Sequence, residues 1–252
     1  MSDTILIERP DNHPGVLVIR FNRPDKKNAI TAAMYYRMTA ALNEANDDDS
    51  LRAVAFLGTE GCFSAGNDMA DFIAYATSGS REEPAAFAFL KALAGSSKPL
   101  VSGVDGLAIG IGTTLHMHCD LTVASSRSLF KTPFVDLALV PEAGSSLLAP
   151  KIMGHQRAFA LLALGEGFSA EEAHAAGLIW KVVEPDAVEA ETLTLASRLA
   201  QKPPQALAIS RSLIGGDRAE LMARMEEEVR HFADRLKSAE ALAAFQAFMA
   251  RR

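Results

Sequence analysis

Three short apolar runs constrain the fold of this chain more than any other feature. The runs LRAVAFLG (51–58), PLVSGVDG (99–106) and DLTVAS (120–125) are rich in the residues of buried strands. Stretches with apolar side chains at helical spacing lie between and before them, including residues 31–45 and 81–94. Strands that alternate with helices are typical of an α/β domain with right-handed crossovers. The sequence therefore predicts an α/β fold.

The two ends of the chain differ from this central pattern. Residues 4–8 and 16–21 are short β-branched runs separated by PDNHPG, which predicts a strand hairpin. From about residue 168 the sequence becomes helical, and residues 217–251 are strongly amphipathic. A helical tail of this length must bury its apolar stripe on its own core or on another subunit.

Composition excludes several classes of protein. The net charge is -6 without a basic stripe, so we expect no nucleic-acid or membrane partner. Charged residues and glycines interrupt every candidate membrane span, and the start MSDTILIERP has no secretion signal. Two cysteines, Cys62 and Cys119, are too few for a disulfide framework. We expect a cytoplasmic protein.

Two glycine-bearing stretches have a possible chemical role. In FSAGND (63–68), small residues between a strand and a helix allow a ligand to approach main-chain N–H groups, but the hexapeptide alone favours a tight connector with Gly66 at positive φ. GLAIGIGTT (106–114) falls short of a dinucleotide fingerprint, because Leu115 stands where the third glycine is needed. Its spacing allows a closely packed helix and a free N–H near Ile111.

Three further features could carry catalysis. His116 and His118 are two residues apart on a predicted helix, so their side chains diverge and a buried, hydrogen-bonded pair is favoured over a metal site. No Gly-x-Ser-x-Gly elbow supports a serine nucleophile. Glu142 follows Pro141, and it is either a helix-opening glutamate stabilised by the helix dipole or a carboxylate held over a substrate.

Taken together, five segments resemble the crotonase (enoyl-CoA hydratase/isomerase) superfamily in order and spacing, over roughly residues 4–250. The segments are NRPDKKNAI, GTEGCFSAGNDMADF, KPLVSGVDGLAIGIGTTLHMHCDLTVAS, FKTPFVDLALVPEAGSS and LGEGFSAEEAHAAGLIWKVV. The resemblance implies a spiral core of ββα units over residues 1–195. It also implies a C-terminal helical region, 196–252, that assembles the chain as a homotrimer or a dimer of trimers.

The resemblance also implies an acyl-CoA site. Two main-chain N–H groups, those of Ser64 and Ile111 here, would hold the thioester oxygen, and Glu142 would be the catalytic carboxylate. Coenzyme A would be part of the substrate, with no separate cofactor and no metal. The implied substrate- and CoA-binding residues are Lys26, Ser64, Ala65, Gly66, Asn67, Asp68, Gly110, Ile111 and Phe134.

The positions of the carboxylates favour one activity within the superfamily. Hydratases of this family use two glutamates, and their positions are occupied here by Thr114 and Phe134. PEAGSS instead resembles the peroxisomal-type Δ3,Δ2-enoyl-CoA isomerases, which carry a single catalytic glutamate at this place. We therefore expect Glu142 to move one proton between C2 and C4, helped by a pKa raised in apolar surroundings.

Other functions remain open at this point. A hydratase could pair Glu142 with Asp68 or Asp136, and the same fold also serves thioesterases, decarboxylases and dehalogenases. A non-catalytic acyl-CoA-binding protein is the alternative from a different class.

Overall fold

The computed structural model describes residues 3–77 and 84–250. The strands of this part are β1 (Ile5–Glu8), β2 (Val16–Phe21), β3 (Ala53–Leu57), β4 (Cys62–Ser64), β5 (Leu100–Val104), β6 (Leu107–Ile109), β7 (Leu121–Ser125), β8 (Leu129–Lys131), β9 (Phe168–Ser169) and β10 (Lys181–Val183). The helices are α1 (Ala32–Asp47), α2 (Met69–Thr77), α3 (Ala85–Ala94), α4 (Ile111–Thr114), α5 (Ser145–Met153), α6 (His155–Phe159), α7 (Ala170–Ala175), α8 (Val188–Ala200), α9 (Pro204–Gly215), α10 (Arg218–Leu236) and α11 (Ala239–Ala250).

The strands form two sheets that the chain visits in turn. One sheet has the order β1-β2-β3-β5-β7-β10, and the other has the order β4-β6-β8-β9. Each pass through β3–β4, β5–β6 and β7–β8 adds one parallel strand to each sheet. The apolar runs are continuous rather than alternating because both faces of the central strands are covered. The predicted α/β spiral is confirmed.

Several local signals in the sequence act as expected. Strands β1 and β2 pair antiparallel, with Ile5 opposite Phe21. Thr31 caps α1 by accepting a hydrogen bond from the N–H of Met34, and Ser169 opens α7 with a capping box. Side-chain caps of this kind satisfy N–H groups that have no partner inside the helix and typically contribute about 1 kcal/mol.

One local prediction is wrong. Residues 107–119 are not one buried helix, because Leu107–Ile109 is strand β6 and a helix begins only at Ile111. Gly110 separates the two with φ +59, and β6 is held between β4 and β8. The first three residues of the predicted helix 81–94 lie outside the described residues.

The C-terminal helices differ in how much apolar surface they bury. Helix α8 packs on β3, β5 and β7, so closely that a Cβ on Gly103 would lie 2.4 Å from Thr192 Oγ1. Helix α10 packs against α3 and α5, but α9 leaves Ile209, Leu213 and Ile214 exposed. The domain boundary near residue 195 and trimer assembly stay predictions. No helix of the described residues is long and apolar enough to cross a membrane.

Candidate active site

Glu142 is a buried carboxylate at the wall of an apolar cavity. Its side chain is only 7% exposed, and the cavity that it lines holds about 120 Å³. Helix α5 begins at Ser145, so Glu142 precedes the helix and does not occupy its first turn. The helix-dipole explanation of this residue is therefore wrong.

Apolar side chains from three helices form most of the cavity wall. The wall includes Tyr35 of α1, Phe87 and Leu90 of α3, and Val229, Phe232 and Leu236 of α10. An acyl chain suits such a space, because burying apolar surface is favourable at about 25 cal/mol per Å². The carboxylate of Glu142 therefore lines a cavity that could hold a hydrocarbon group.

The surroundings of Glu142 shift its proton affinity strongly. Burial raises the pKa of Glu142 to about 8, the hydrogen bond from Thr114 lowers it, and the nearby charge of Glu228 raises it further. A carboxyl group with a pKa near neutrality exists in both protonation states at physiological pH, which is what a group that takes and returns a proton needs.

The sequence marks Thr114 only as the residue that replaces a hydratase glutamate, but the structure places it in contact with Glu142. Its buried hydroxyl donates a hydrogen bond of 2.5 Å to Glu142 Oε1. A glutamate at position 114 would place a second carboxylate against Glu142. The threonine instead orients a single one. No local sequence pattern predicts this contact, because 28 residues separate the two partners.

The main chain after Glu142 is bent and held from outside. Ala143 and Gly144 both have left-handed φ values, +62 and +68. His118 Nε2 donates to the carbonyl oxygen of Ala143 at 2.7 Å, and Glu228 of α10 accepts the N–H of Gly144 at 2.6 Å. The direction of the Glu142 side chain is therefore set by a turn with partners on two sides.

Two glycines bring a pair of main-chain N–H donors together beside this turn. Gly66 has φ +87, and a Cβ there would lie 2.8 Å from the carbonyl oxygen of Ile109 and 4.0 Å from the Cα of Gly110. The residues that follow these two glycines, Asn67 and Ile111, are consequently neighbours. Ile111 is the first residue of α4, so its N–H has no acceptor within the helix.

The first donor of the pair is better assigned to Asn67. Ile30 forms a parallel β-bridge with Asn67: the N–H of Ile30 donates to Gly66 O, and the N–H of Asp68 donates to Ile30 O. In this pattern the N–H of Asn67 points away from Ile30. Among the turn and loop hydrogen bonds of the described residues, none uses the N–H of Asn67 or of Ile111. Asn67 also lines the cavity.

Ser64, which we expected to supply that donor, has a supporting role in the structure. It lies in β4, paired with Ala108 of β6, and is fully buried. Its hydroxyl donates to the carbonyl oxygen of Asn28 at 2.9 Å and accepts the N–H of Gly66 at 3.1 Å. The hexapeptide FSAGND offers several N–H groups, and only the bridge to Ile30 distinguishes that of Asn67 from the others.

The loop before α1 is hydrogen-bonded to the segment that precedes Asn67. The side-chain amide of Asn28 donates to the carbonyl oxygens of Cys62 and Phe63, and the N–H of Ala65 donates to Lys27 O. These bonds hold the loop against residues 62–66. Lys26, on the same loop, is exposed, and its predicted contact with coenzyme A stays a prediction.

The remaining predicted residues do not add a second catalytic group. Asp68 lines the cavity but is paired with Arg23 at 2.6 Å. Burial acts to raise the pKa of Asp68, yet the hydrogen bonds from Arg23 and from the N–H of Ala70 outweigh it and hold that pKa below its ordinary value. Phe134 belongs to the hydrophobic core, and Asp136 is exposed.

The two histidines behave as the sequence predicts. His116 Nδ1 lies 2.9 Å from Ser102 Oγ, and His118 bonds the carbonyl oxygen of Ala143. Burial lowers the pKa of His116 to about 3 and that of His118 to about 4, so both are neutral near pH 7. Among the described residues, no group of three or more metal-ligating side chains is placed to hold a metal ion.

Fold and site define a class: a two-sheet spiral in which a buried carboxylate lines an apolar cavity. The model of the family described as Enoyl-CoA hydratase/isomerase matches residues 11–252. The chain belongs to the enoyl-CoA hydratase/isomerase family.

Individual relatives support the same assignment. Enoyl-CoA delta isomerase 2 from Rattus norvegicus is 38% identical over 245 residues, which cover 94% of this chain and 62% of the rat protein. The structure of Pseudomonas aeruginosa OdaA matches with a TM-score of 0.92 at 41% identity, covering 98% and 99% of the two chains. An enoyl-CoA hydratase/isomerase from Pseudoalteromonas atlantica T6c matches with a TM-score of 0.91 at 36% identity, covering 99% and 98%. The chain thus spans less than two thirds of the rat relative.

Proposed function

We propose that this chain is a Δ3,Δ2-enoyl-CoA isomerase that moves a double bond by a proton shuttle on Glu142. One observation carries the proposal: Glu142 is the only buried carboxylate among the described residues that line the apolar cavity, and Thr114 is bonded to it where a hydratase would have a glutamate. The name of the rat relative, Enoyl-CoA delta isomerase 2, agrees with it.

The first step is removal of a proton from C2 of a 3-enoyl-CoA. The Glu142 carboxylate takes this proton, and the electrons of the C2–H bond move into the thioester and the adjacent double bond as an enolate. The N–H groups of Asn67 and Ile111 stabilise the negative charge on the thioester oxygen. A single preorganised donor of this kind is typically worth about 3–4 kcal/mol.

The second step returns the same proton to C4. Protonated Glu142 donates it, and the electrons of the C3–C4 double bond form the new C4–H bond. The enolate collapses as the C1–C2 double bond shifts to C2–C3 and the thioester carbonyl is restored. The carboxylate is regenerated, so no proton is gained or lost. The pKa of about 8 suits both halves of the cycle, because neither the acid nor the base form is strongly disfavoured. The apolar wall limits water near C3, which disfavours hydration.

A hydratase requires a second group that activates water. Asp68 is held in an ion pair with Arg23, and Asp136 lies exposed to solvent, so neither is free to act with Glu142 inside the cavity. These positions favour the isomerase over the hydratase. An assembly role as a homotrimer and a contact of Lys26 with coenzyme A are part of the same proposal.

The test is incubation of the protein with 3-hexenoyl-CoA and, separately, with crotonyl-CoA. An isomerase converts the first substrate to a 2-enoyl-CoA, seen as a rise in conjugated-thioester absorbance, and leaves the second unhydrated. Consumption of crotonyl-CoA alone would establish the hydratase. Binding of both without turnover would establish an acyl-CoA-binding protein.

A further inference from the structure

The turn that carries Glu142 has a conformation that needs support. Ala143 lies at φ +62, in the left-handed region that a residue with a Cβ adopts at a cost of about 1–2 kcal/mol. Gly144 follows in the same region at φ +68. Two successive left-handed residues persist only where surrounding contacts fix them. The question is which contacts do so.

A buried carboxylate from a distant helix supplies several of these contacts. Glu228 of α10 is 5% exposed, and its two oxygens divide between the N–H of Gly144 at 2.6 Å and the N–H of Ser146 at 3.0 Å. The Ser146 hydroxyl donates to the same carboxylate at 2.5 Å. Hydrogen bonds to a charged acceptor are roughly twice as strong as neutral ones.

The position of Glu228 also suits the start of α5. The helix begins at Ser145, so the N–H groups of Gly144 and Ser146 lie among those with no acceptor inside the helix. A negative charge at a helix N-terminus is favoured by the helix dipole. Glu228 therefore caps α5 from a helix 82 residues further along the chain.

The turn packs directly against α10, with no room for a side chain at Gly144. A Cβ on Gly144 would lie 2.4 Å from Leu221 Cδ1 and 3.2 Å from Met225 Cγ, both side chains of α10. The same helix supplies Val229 and Leu236 to the cavity wall. One helix thus contacts the turn that carries Glu142 and the cavity into which Glu142 faces.

We propose that Glu228 is a positioning residue, which holds the Glu142 carboxylate over the cavity by fixing the main chain of residues 143–146. This inference rests on the proposed isomerase function. Glu228 itself touches no reacting atom. It acts through its hydrogen bonds to Gly144 and Ser146. Helix α10 would then support catalysis as well as line the cavity.

The variant Glu228→Gln tests this role with little change in volume. A glutamine presents one acceptor oxygen and one NH₂ group, so it cannot accept from both Gly144 and Ser146, and its NH₂ would face an N–H donor. The neighbouring Glu226 is exposed on the same helix and gives a matched control, Glu226→Gln.

Steady-state kinetics with 3-hexenoyl-CoA should separate positioning from binding. For Glu228→Gln we expect kcat to fall by about 10²-fold, since a displacement of about 1 Å of a reacting group has that effect. KM should change by less than about threefold, because the cavity wall is intact. Glu226→Gln should match the wild type in both constants. A Glu228→Gln protein with normal kcat would overturn the proposal.

A second measurement does not depend on activity. The proton shift of the Gly144 amide in NMR should move upfield in Glu228→Gln, because a short bond to a carboxylate is lost. An unchanged Gly144 shift would contradict the positioning role of Glu228, even if kcat falls. If the wild type lacks isomerase activity but the Gly144 shift still changes in Glu228→Gln, the hydrogen bond from Gly144 to Glu228 is supported and the proposed function is refuted.

If Glu228→Gln does not fold, Ser146→Ala removes one bond to the carboxylate and keeps the others. It should lower kcat by a smaller factor than Glu228→Gln would, with KM unchanged. Lower thermal stability without any loss of kcat in the folded protein would assign Glu228 a structural role only.

Discussion

Thr114 and Glu142 share a buried hydrogen bond of 2.5 Å across 28 residues of sequence. Thr114 ends helix α4, whose first residue is Ile111, one of the two N–H donors. The same short helix therefore carries a proposed N–H donor at its first residue and, at its last, the hydroxyl bonded to the proposed proton shuttle. This connection makes the pH dependence of the reaction a sensitive probe of the site.

Replacing Thr114 should shift the pH profile. Its hydrogen bond lowers the pKa of Glu142, so Thr114→Val should raise that pKa further above its present value of about 8. The carboxylate form starts the reaction, and kcat/KM rises with pH through this pKa. The rising limb of kcat/KM should therefore move to higher pH in Thr114→Val.

The adjacent residue provides the control for that shift. Thr113 is also buried, but its hydroxyl donates to the carbonyl oxygen of Ala108 and not to Glu142. Thr113→Val should lower stability and leave the midpoint of the profile in place. Equal shifts in both variants would refute a specific role of Thr114.

The contribution of Glu142 to the stability of the protein should fall as pH rises. The folded state raises the pKa of Glu142 from 4.5 to about 8, so between these values the folded state binds more protons than the unfolded state. The contribution of this group is complete below pH 4.5 and is lost by pH 8, with a slope of at most about 1.4 kcal/mol per pH unit.

Urea unfolding at fixed protein concentration across this pH range would measure the effect. The difference in unfolding free energy between the wild type and Glu142→Gln should change across this pH range, because glutamine does not titrate and the other groups contribute equally to both proteins. Parallel curves for wild type and Glu142→Gln would mean that burial does not raise the pKa of this carboxyl group.

The close approach of Gly66 to residue 109 should matter for catalysis. Gly66→Ala introduces a Cβ 2.8 Å from the carbonyl oxygen of Ile109 at φ +87, which forces apart the segments that carry the Asn67 and Ile111 N–H groups. Losing one donor of this type typically lowers kcat by about 10²–10³-fold. We expect a fall of this order for 3-hexenoyl-CoA.

Gly154 offers the matched control. It has φ +78, and a Cβ there meets nothing within 4 Å, so Gly154→Ala introduces the left-handed strain without the clash. Both variants should lose about 1–2 kcal/mol of stability to that strain. Only Gly66→Ala should lose activity, and a comparable loss in Gly154→Ala would dissociate the effect from the N–H pair.

Asp68 should be important for structure and not for turnover. Asp68→Asn breaks the ion pair with Arg23 and weakens the bond to the N–H of Ala70 in α2, which should lower stability by about 1 kcal/mol. The kcat for 3-hexenoyl-CoA should stay within a few-fold of wild type. Loss of activity in folded Asp68→Asn would support the hydratase with a pair of carboxylates.

The sequence predicts those parts of the fold that depend on neighbouring residues. The hairpin, the cap at Thr31 and the capping box at Ser169 follow from local patterns, and all are present. The strand β6 was missed, because three residues between two glycines pair only through contacts with β4 and β8. Short strands of this kind depend on tertiary partners.

The residues of the candidate site also divide into those that a local motif predicts and those that depend on distant contacts. Glu142 was singled out because its motif is local and resembles that of a known family. The donor at Asn67 depends on a bridge to Ile30, and the supports at Thr114 and Glu228 come from 28 and 84 residues away. A single sequence carries no signal of such contacts, since side-chain placement is decided by packing of separate elements.

Glu142→Gln is the most direct test of the proton shuttle. The substitution keeps the size of the side chain and removes its ability to take a proton, while Glu226→Gln changes an exposed glutamate in the same way. Turnover of 3-hexenoyl-CoA and binding of its thioester should be measured for both. We predict that Glu142→Gln folds and binds the thioester but loses activity by at least about 10²–10⁴-fold, and that Glu226→Gln is unaffected. Near wild-type turnover in Glu142→Gln would contradict the account.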